Sequence, residues 1–429
     1  MASHIKEILD LALDDPMMYN SYPSMNQQTN LFHGENSPYI SAIETVSYCN
    51  TESFANTQQQ TDSQDTLSKK AFILLANGPI ILIDALLENY TFLLKATELL
   101  SRPSIPTFLA SRLATIFSNI CLKSEENSIN SIGLMVLLLK YIEDSAVFDL
   151  FHTICSKKNK LKKMQFAIAQ TDIDVFILNE LIAYDATIEK KHNLCLMIQD
   201  CLKNSRLTHK FTNVRVLQAL VNLMNTSNTQ LLNQVWQTIS LMVCQKLVTK
   251  MQCIYNRALE ILIEPFDTLH IYHTSIFEFL AKVVQLRTSF FTETHKSQIC
   301  QIILRLFVQF PNSTNLMTAM FRFIRNSLFN KEFAHKVLNS FIVLFVIESQ
   351  SEARTAASAS ALLFLGDLER MKTSSIMINK FLTGNAQYMH FCKTFFKNYL
   401  EELPIPYGGT TITRYVKREK NADAKDVKK

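Results

Sequence analysis

Glycine is the residue that most constrains the fold of this chain, because the chain contains so little of it. The 429 residues include 7 glycines, whereas an average chain of this length has about 30. Phosphate-binding loops, tight hairpins and bulges need backbone with positive φ, which glycine adopts most readily. The composition therefore argues against a Rossmann enzyme, a P-loop ATPase and a β-sandwich, and it favours a helical protein.

The net charge of the chain is concentrated at one end. Lys and Arg number 43 against 38 Asp and Glu, which gives a formal charge of +5. Residues 414–429 contain seven basic and three acidic residues, so they account for +4 of this total. Because the rest of the chain is nearly neutral, the basic tail is a local property, and we expect no specific nucleic-acid partner.

Cysteine spacing and hydropathy indicate the cellular compartment in which the protein resides. None of the nine cysteines forms a C-x-x-C pair, and most lie in apolar stretches, where a thiol behaves as a small hydrophobic group. Four acidic residues among the first 15 fit neither a signal peptide nor a transit peptide. The most apolar stretches, 72–87 and 341–347, are interrupted by polar residues or are too short to cross a bilayer. We therefore expect a soluble cytoplasmic protein, with the nucleus as a second location, and no transmembrane segment.

The hydrophobic pattern divides the chain into four parts. Near the N-terminus it predicts an amphipathic helix with Ile5, Ile8, Leu9 and Ala12 on its apolar side. The next stretch is rich in Asn, Gln, Ser and Thr and offers too little apolar surface to offset the entropy of ordering. The predicted parts are a short N-terminal helix (1–19), a largely disordered linker (20–68), a helical-repeat domain (69–409) and a basic disordered tail (410–429).

Helical periodicity continues through almost all of residues 69–403. Apolar residues recur with the spacing of one helix face, as in the stripe within 147–154. Short polar turns separate the stripes, and two of them end in good N-cap residues, Ser104 and Asn228. Helices joined by such short turns are antiparallel neighbours. The pattern thus predicts an all-α fold, an α-solenoid of degenerate armadillo/HEAT-like helical repeats, although no exact repeat is visible in the letters.

No constellation of residues predicts catalysis, a metal site or a cofactor. His270 and His273 share a helix face, but the flanking sequence supplies no third ligand for a metal. Cys195 and Cys201 fall on different helix faces and are interpreted as core residues. An enzyme built on a helical bundle would need inward-facing carboxylates or Glu-x-x-His pairs, and none stands out. We expect a protein that is not an enzyme and that has no catalytic residue, no metal and no cofactor.

Two segments of the chain resemble the signatures of a known family. A Ser/Pro turn leads into the first segment, and a leucine-rich helix leads into the second. The matching letters are Leu109, Ala110 and Ser111 in the first, and Ile142, Ser145, Ala146, Asp149 and Leu150 in the second. This succession resembles the SAPS-domain family, the regulatory subunits of protein phosphatase 6-class serine/threonine phosphatases. The chain departs from the family at Arg112-Leu113, where the family has an aromatic pair, and at Glu143-Asp144, where it has a glycine.

The resemblance implies an all-helical, non-catalytic scaffold. Proteins of this family bind a serine/threonine phosphatase catalytic subunit and position it on substrates, together with further scaffold subunits, so the phosphatase and its client meet at a raised effective concentration. Polar residues at the matched helix entrances are the predicted partner-binding residues. They are Arg112, Glu143, Asp144 and Asp149, of which Asp144 also fits a helix cap.

A second hypothesis is a transport or trafficking adaptor of armadillo/HEAT type that binds peptides or a small GTPase. A peptide-binding adaptor of this kind should show rows of asparagines and tryptophans along one face. The chain has a single tryptophan, Trp236. The peptide-groove version of this hypothesis is therefore the weaker one.

Overall fold

The computed structural model describes residues 69–402, apart from residues 89, 103 and 158–160. Within this part the chain forms helices and no strand. The predicted fold class, an all-α solenoid of degenerate helical repeats, is thereby confirmed. The predicted N-terminal helix (1–19), linker (20–68) and basic tail (410–429) lie outside the described residues, as do residues 403–409 of the predicted repeat domain.

The chain divides into two compact units, with the boundary between Lys250 and Met251. The first unit begins, in the described part, with α1 (69–77). Its further helices are α2 (Ile80–Glu88), α3 (Tyr90–Leu100), α4 (Thr107–Lys123), α5 (Glu125–Ser128), α6 (Ile132–Leu137), α7 (Ser145–Cys155), α8 (Lys162–Gln170), α9 (Ile173–Ile182), α10 (Ile188–Lys203), α11 (Thr208–Phe211), α12 (Val214–Leu223) and α13 (Thr229–Met242).

Four helices of the first unit form one continuous layer. Helix α4 packs on α7, α7 on α10, and α10 on α13. These helices begin at residues 107, 145, 188 and 229, which are 38, 43 and 41 residues apart. The spacing shows a repeat of about 40 residues, the length of armadillo and HEAT units. Its letters are degenerate because any apolar side chain of suitable size can fill a helix interface.

In the second unit, helices again pack in series, and they form two layers. Helices α14, α16 and α18 pack in series, and so do α15, α17 and α19. A π-helical turn, Cys392–Phe396, lies near the end of the described chain. The helices are α14 (Gln252–Ile263), α15 (Ile271–Leu286), α16 (Glu293–Gln309), α17 (Thr314–Ser327), α18 (Lys331–Ser349), α19 (Ala356–Met371), α20 (Ile376–Gly384), α21 (Ala386–Phe391) and α22 (Lys397–Glu402).

Side chains of one repeat satisfy backbone carbonyls of the repeat before it. The amide of Asn119 donates to the carbonyl of Leu75 at 3.1 Å. In the second unit the amide of Asn326 donates to the carbonyl of Ala281 at 2.7 Å. Leu75 is among the last residues of α1, whose carbonyls have no partner within the helix. These polar side chains therefore stabilise the stacking of successive repeats within each unit.

Arg305 makes three contacts of this kind. Its guanidinium donates to the carbonyls of Leu262, Ile263 and Glu264 at the C-terminal end of α14. We expect Arg305→Met to lower the free energy of unfolding by about 2 kcal/mol, because charge-assisted hydrogen bonds are lost while the aliphatic stem is kept. The measurement is urea denaturation followed by circular dichroism.

The matched control for this change is Arg322→Met. Arg322 is a half-exposed residue of α17 that pairs with Glu278 at 3.4 Å. Exposed ion pairs contribute little, so a loss below about 1 kcal/mol is expected. Equal losses for the two variants would show that the carbonyl contacts of Arg305 contribute nothing specific.

The two predicted N-caps had different outcomes. The side chain of Asn228 accepts a hydrogen bond from the backbone of Leu231 at 2.8 Å and caps α13, as predicted. The prediction for Ser104 was wrong, because α4 begins at Thr107 and Pro106 stands at its N-cap. A residue that precedes proline is driven away from helical backbone. The helix therefore cannot begin before Pro106, and Ser104 lies too far upstream to cap it.

Candidate partner-binding surface

The two segments that carry the family resemblance lie on neighbouring helices. Leu109 and Ala110 are on α4, and Leu150 is on α7, which packs directly against α4. All three side chains are buried. Ile142 is buried as well, so half of the eight matched letters are core residues, and the polar side chains around them are the candidates for contact with a partner.

Arg112 holds the start of the described chain against α4. Its guanidinium carbon lies 5.4 Å from the ring centroid of Phe72 on α1 and 5.5 Å from that of Phe108 on α4. This distance is within the range of a cation–π contact. Because its side chain is half-buried between two rings, Arg112 contributes to packing within the first unit.

Asp144 and Glu143 form hydrogen bonds at the N-termini of two helices, α7 and α10. The Oδ1 atom of Asp144 accepts hydrogen bonds from the backbone of Ala146 at 2.9 Å and of Val147 at 3.3 Å, and so caps α7. The carboxylate of Glu143 accepts a hydrogen bond from the hydroxyl of Thr187, the residue that caps α10. Both acidic residues thus take part in internal contacts.

Asp149 is the predicted residue that remains available to a partner. It is exposed on α7 and makes no hydrogen bond or ion pair with any residue that the structure describes. His152 lies one helical turn further along α7 and its Nδ1 atom is 2.6 Å from a carboxylate oxygen of Asp200 on α10. The ring of Phe148 stacks on that of His152, with centroids 6.0 Å apart.

Phe148, Asp149, His152 and Asp200 form what we call the acidic face of α7 and α10. Phe148 and His152 are four residues apart on a predicted helix, so their contact could have been found from sequence spacing. The pairing of His152 with Asp200 could not have been found in this way, because the two residues are 48 positions apart in the sequence. The acidic face combines carboxylates with a partly exposed aromatic ring, which suits a partner surface rich in Lys and Arg.

The two histidines considered as metal ligands are part of a helix cap. The Nδ1 atom of His273 accepts a hydrogen bond from the backbone of His270 at 3.1 Å, at the N-terminus of α15. The ring of His273 lies parallel to that of Phe266, with centroids 3.9 Å apart. Among the residues that the structure describes, no group of three or more His, Cys, Asp or Glu side chains is arranged to hold a metal.

Cys195 and Cys201 are core residues, as interpreted from the sequence. Both lie on α10 and are fully buried. Burial disfavours the thiolate and raises the pKa of Cys195 to about 12. A thiol with so high a pKa is a poor nucleophile at neutral pH.

Comparisons with known proteins provide no functional assignment. No family model matches the sequence, and no curated protein matches it. One solved structure similar to this chain is that of an engineered protein, with a TM-score of 0.39 and 12% sequence identity over 77% of this chain and 96% of the other. None of the helices in the described part of the chain combines the length and the hydrophobicity that spanning a bilayer requires.

Proposed function

We propose that this chain is a non-catalytic scaffold that binds a serine/threonine phosphatase catalytic subunit of the phosphatase 6 type and positions it on substrates. The observation that carries the proposal is the adjacency of α4 and α7. The two segments that resemble the SAPS-domain family lie on these two helices, which pack side by side in one layer. The resemblance therefore covers one continuous part of the first unit.

The acidic face of α7 and α10 supplies the contact chemistry for such a partner. Asp149 offers a free carboxylate, and His152 and Asp200 form a polar bridge between neighbouring repeats. Carboxylates beside an aromatic ring recognise basic side chains by charge and by cation–π contact. A scaffold of this kind acts by raising the effective concentration of enzyme and client.

The transport-adaptor hypothesis receives less support from the side chains. Trp236 is fully buried in α13 and cannot line a peptide groove. Asn119, Asn204 and Asn326 donate their amide hydrogens to backbone carbonyls of preceding repeats. These amide hydrogens are therefore already used within the stack.

The proposal is tested by affinity purification of the tagged full-length chain from its native extract, with mass spectrometry of the captured proteins. We expect a stoichiometric phosphatase catalytic subunit. Asp149→Lys should reduce its capture by about tenfold, because the carboxylate is replaced by a like charge for a basic partner. The melting temperature should not change, since Asp149 is exposed.

Two control variants separate binding from folding. Asp185→Lys makes the same charge change at another exposed position of the first unit, and it should leave capture intact. Asp144→Ala should cost about 1 kcal/mol of stability through loss of the α7 cap, with capture retained where the chain is folded. Absence of any phosphatase in the wild-type eluate would reject the proposal, and loss of capture with Asp185→Lys would move the interface elsewhere.

A further inference from the structure

A groove of about 620 Å³ opens on the first unit beside α6 and α8. Its lining is largely apolar, and Phe166 of α8 contributes a ring that is 64% exposed. Water-exposed apolar surface that is gathered in a concave site is a common mark of a docking site. The lining includes Ile129, Ile132, Gly133, Lys162, Phe166 and Ala167.

Gly133 leaves open space in the lining of this groove. Apart from its chain neighbours and the adjacent backbone of its own helix, a Cβ atom placed on this residue would have no heavy atom of the described residues within 4 Å. Gly133 is the second residue of α6, and glycine is less favourable than alanine in helical backbone. A glycine that weakens its helix and leaves open space fits a site that receives side chains from elsewhere.

The charge at the edge of the groove favours an acidic occupant. Lys162 is exposed in the first turn of α8 and forms no ion pair with a described residue. Positive charge is unfavourable there because the N-terminus of a helix carries a partial positive charge. The acidic residues nearby are already engaged, since Glu126 pairs with Lys163 at 2.8 Å and Glu125 accepts from the backbone of Lys163 at 2.6 Å.

We propose that this groove binds the N-terminal segment of the same chain, residues 3–15. The segment has apolar residues at helical spacing, Ile5, Ile8, Leu9 and Ala12, which would face the apolar lining. It also carries four acidic residues and one lysine, so its charge is complementary to Lys162. The other terminal segment, residues 410–429, is basic and would be repelled by Lys162.

The connection between segment and groove is long enough. Fifty-three residues, 16–68, separate the segment from the first described residue, and each can span up to about 3.3 Å. Because the segment is part of the same chain, docking is intramolecular and is favoured by a raised effective concentration at the groove. Modest apolar burial by three or four aliphatic side chains is therefore sufficient for docking.

The test uses the full-length chain with the photo-cross-linking residue p-benzoylphenylalanine in place of Leu9. After irradiation, mass spectrometry should find cross-links within one chain, to peptides that contain residues 129–133 or 166–167. Gly133→Leu fills the groove and should lower the yield of this cross-link by about tenfold. Gly133→Ala is the matched control, and it should leave the yield unchanged because a methyl group leaves most of the groove open.

Both glycine variants are expected to fold, since the position is open and each new residue is a better helix former. A charge exchange adds an independent readout: Lys162→Glu should lower the cross-link yield, and Asp10→Lys in the same chain should restore it. Cross-links that join two chains, cross-links to other parts of the chain, or an unchanged yield with Gly133→Leu would each overturn the proposal.

Discussion

Phe345→Ala is expected to destabilise the second unit by about 4 kcal/mol. Phe345 of α18 is fully buried, and its ring centroid lies 4.9–5.6 Å from those of Phe307, Phe321, Phe341 and Phe364. The five rings come from four helices, α16 to α19, so this one side chain contacts both layers of the unit. Truncation removes the buried apolar surface, leaves a cavity and breaks several aromatic pairs.

The measurement is urea denaturation of the full-length chain followed by circular dichroism. Phe329→Ala is the control, because Phe329 is 77% exposed and should change stability by less than about 0.5 kcal/mol. A loss for Phe345→Ala that is no larger than the control value would show that the aromatic cluster does not hold the two layers together.

The second prediction concerns acid stability. Burial and the neighbouring charge of His270 lower the pKa of His273 from its usual 6.5 to about 4. Between these two values the unfolded chain binds a proton at this position and the folded chain does not. The contribution to stability is therefore complete above pH 6.5 and is lost progressively as the pH falls toward 4, by about 3 kcal/mol in total.

This contribution can be isolated by substitution. His273→Gln removes the titrating group and keeps a polar side chain at the helix entrance, so the decline in stability between pH 6.5 and 4 should become shallower by about 3 kcal/mol. His390→Gln replaces an exposed histidine of the same unit and should leave the decline unchanged. The readout is urea denaturation at several pH values. Parallel pH profiles for wild type and His273→Gln would contradict the assignment.

Patterns in the sequence correctly predicted the helix face and the helix cap that depend only on residues close together in the chain. The stripe within 147–154 forms the buried face of α7, and Asn228 caps α13. Asp144, considered both as a cap and as a partner-binding residue, is a cap. Such features depend on residues within one or two helical turns, so spacing and propensity are sufficient to identify them. Ser104 was misjudged because Pro106 controls the local backbone.

Identifying the candidate sites required contacts between residues that are far apart in the sequence, which residue spacing does not reveal. Of the four predicted partner-binding residues, Asp149 is the one that makes no hydrogen bond, ion pair or ring contact with any residue that the structure describes. Arg112 is held between two aromatic rings, and Glu143 binds the cap of the next repeat. The groove beside α6 and α8 likewise brings together residues from helices that are separate in sequence.

By itself, the sequence determined that the chain is helical, and it identified the apolar face of α7 and the cap of α13. These properties follow from glycine content, hydrophobic period and capping residues, all of which act over short distances. Only the tertiary structure decided which polar side chains are used inside the stack and which are free. Stacking places residues of successive repeats side by side, about 40 positions apart in sequence, so the pairing of His152 with Asp200 depends on how the repeats pack.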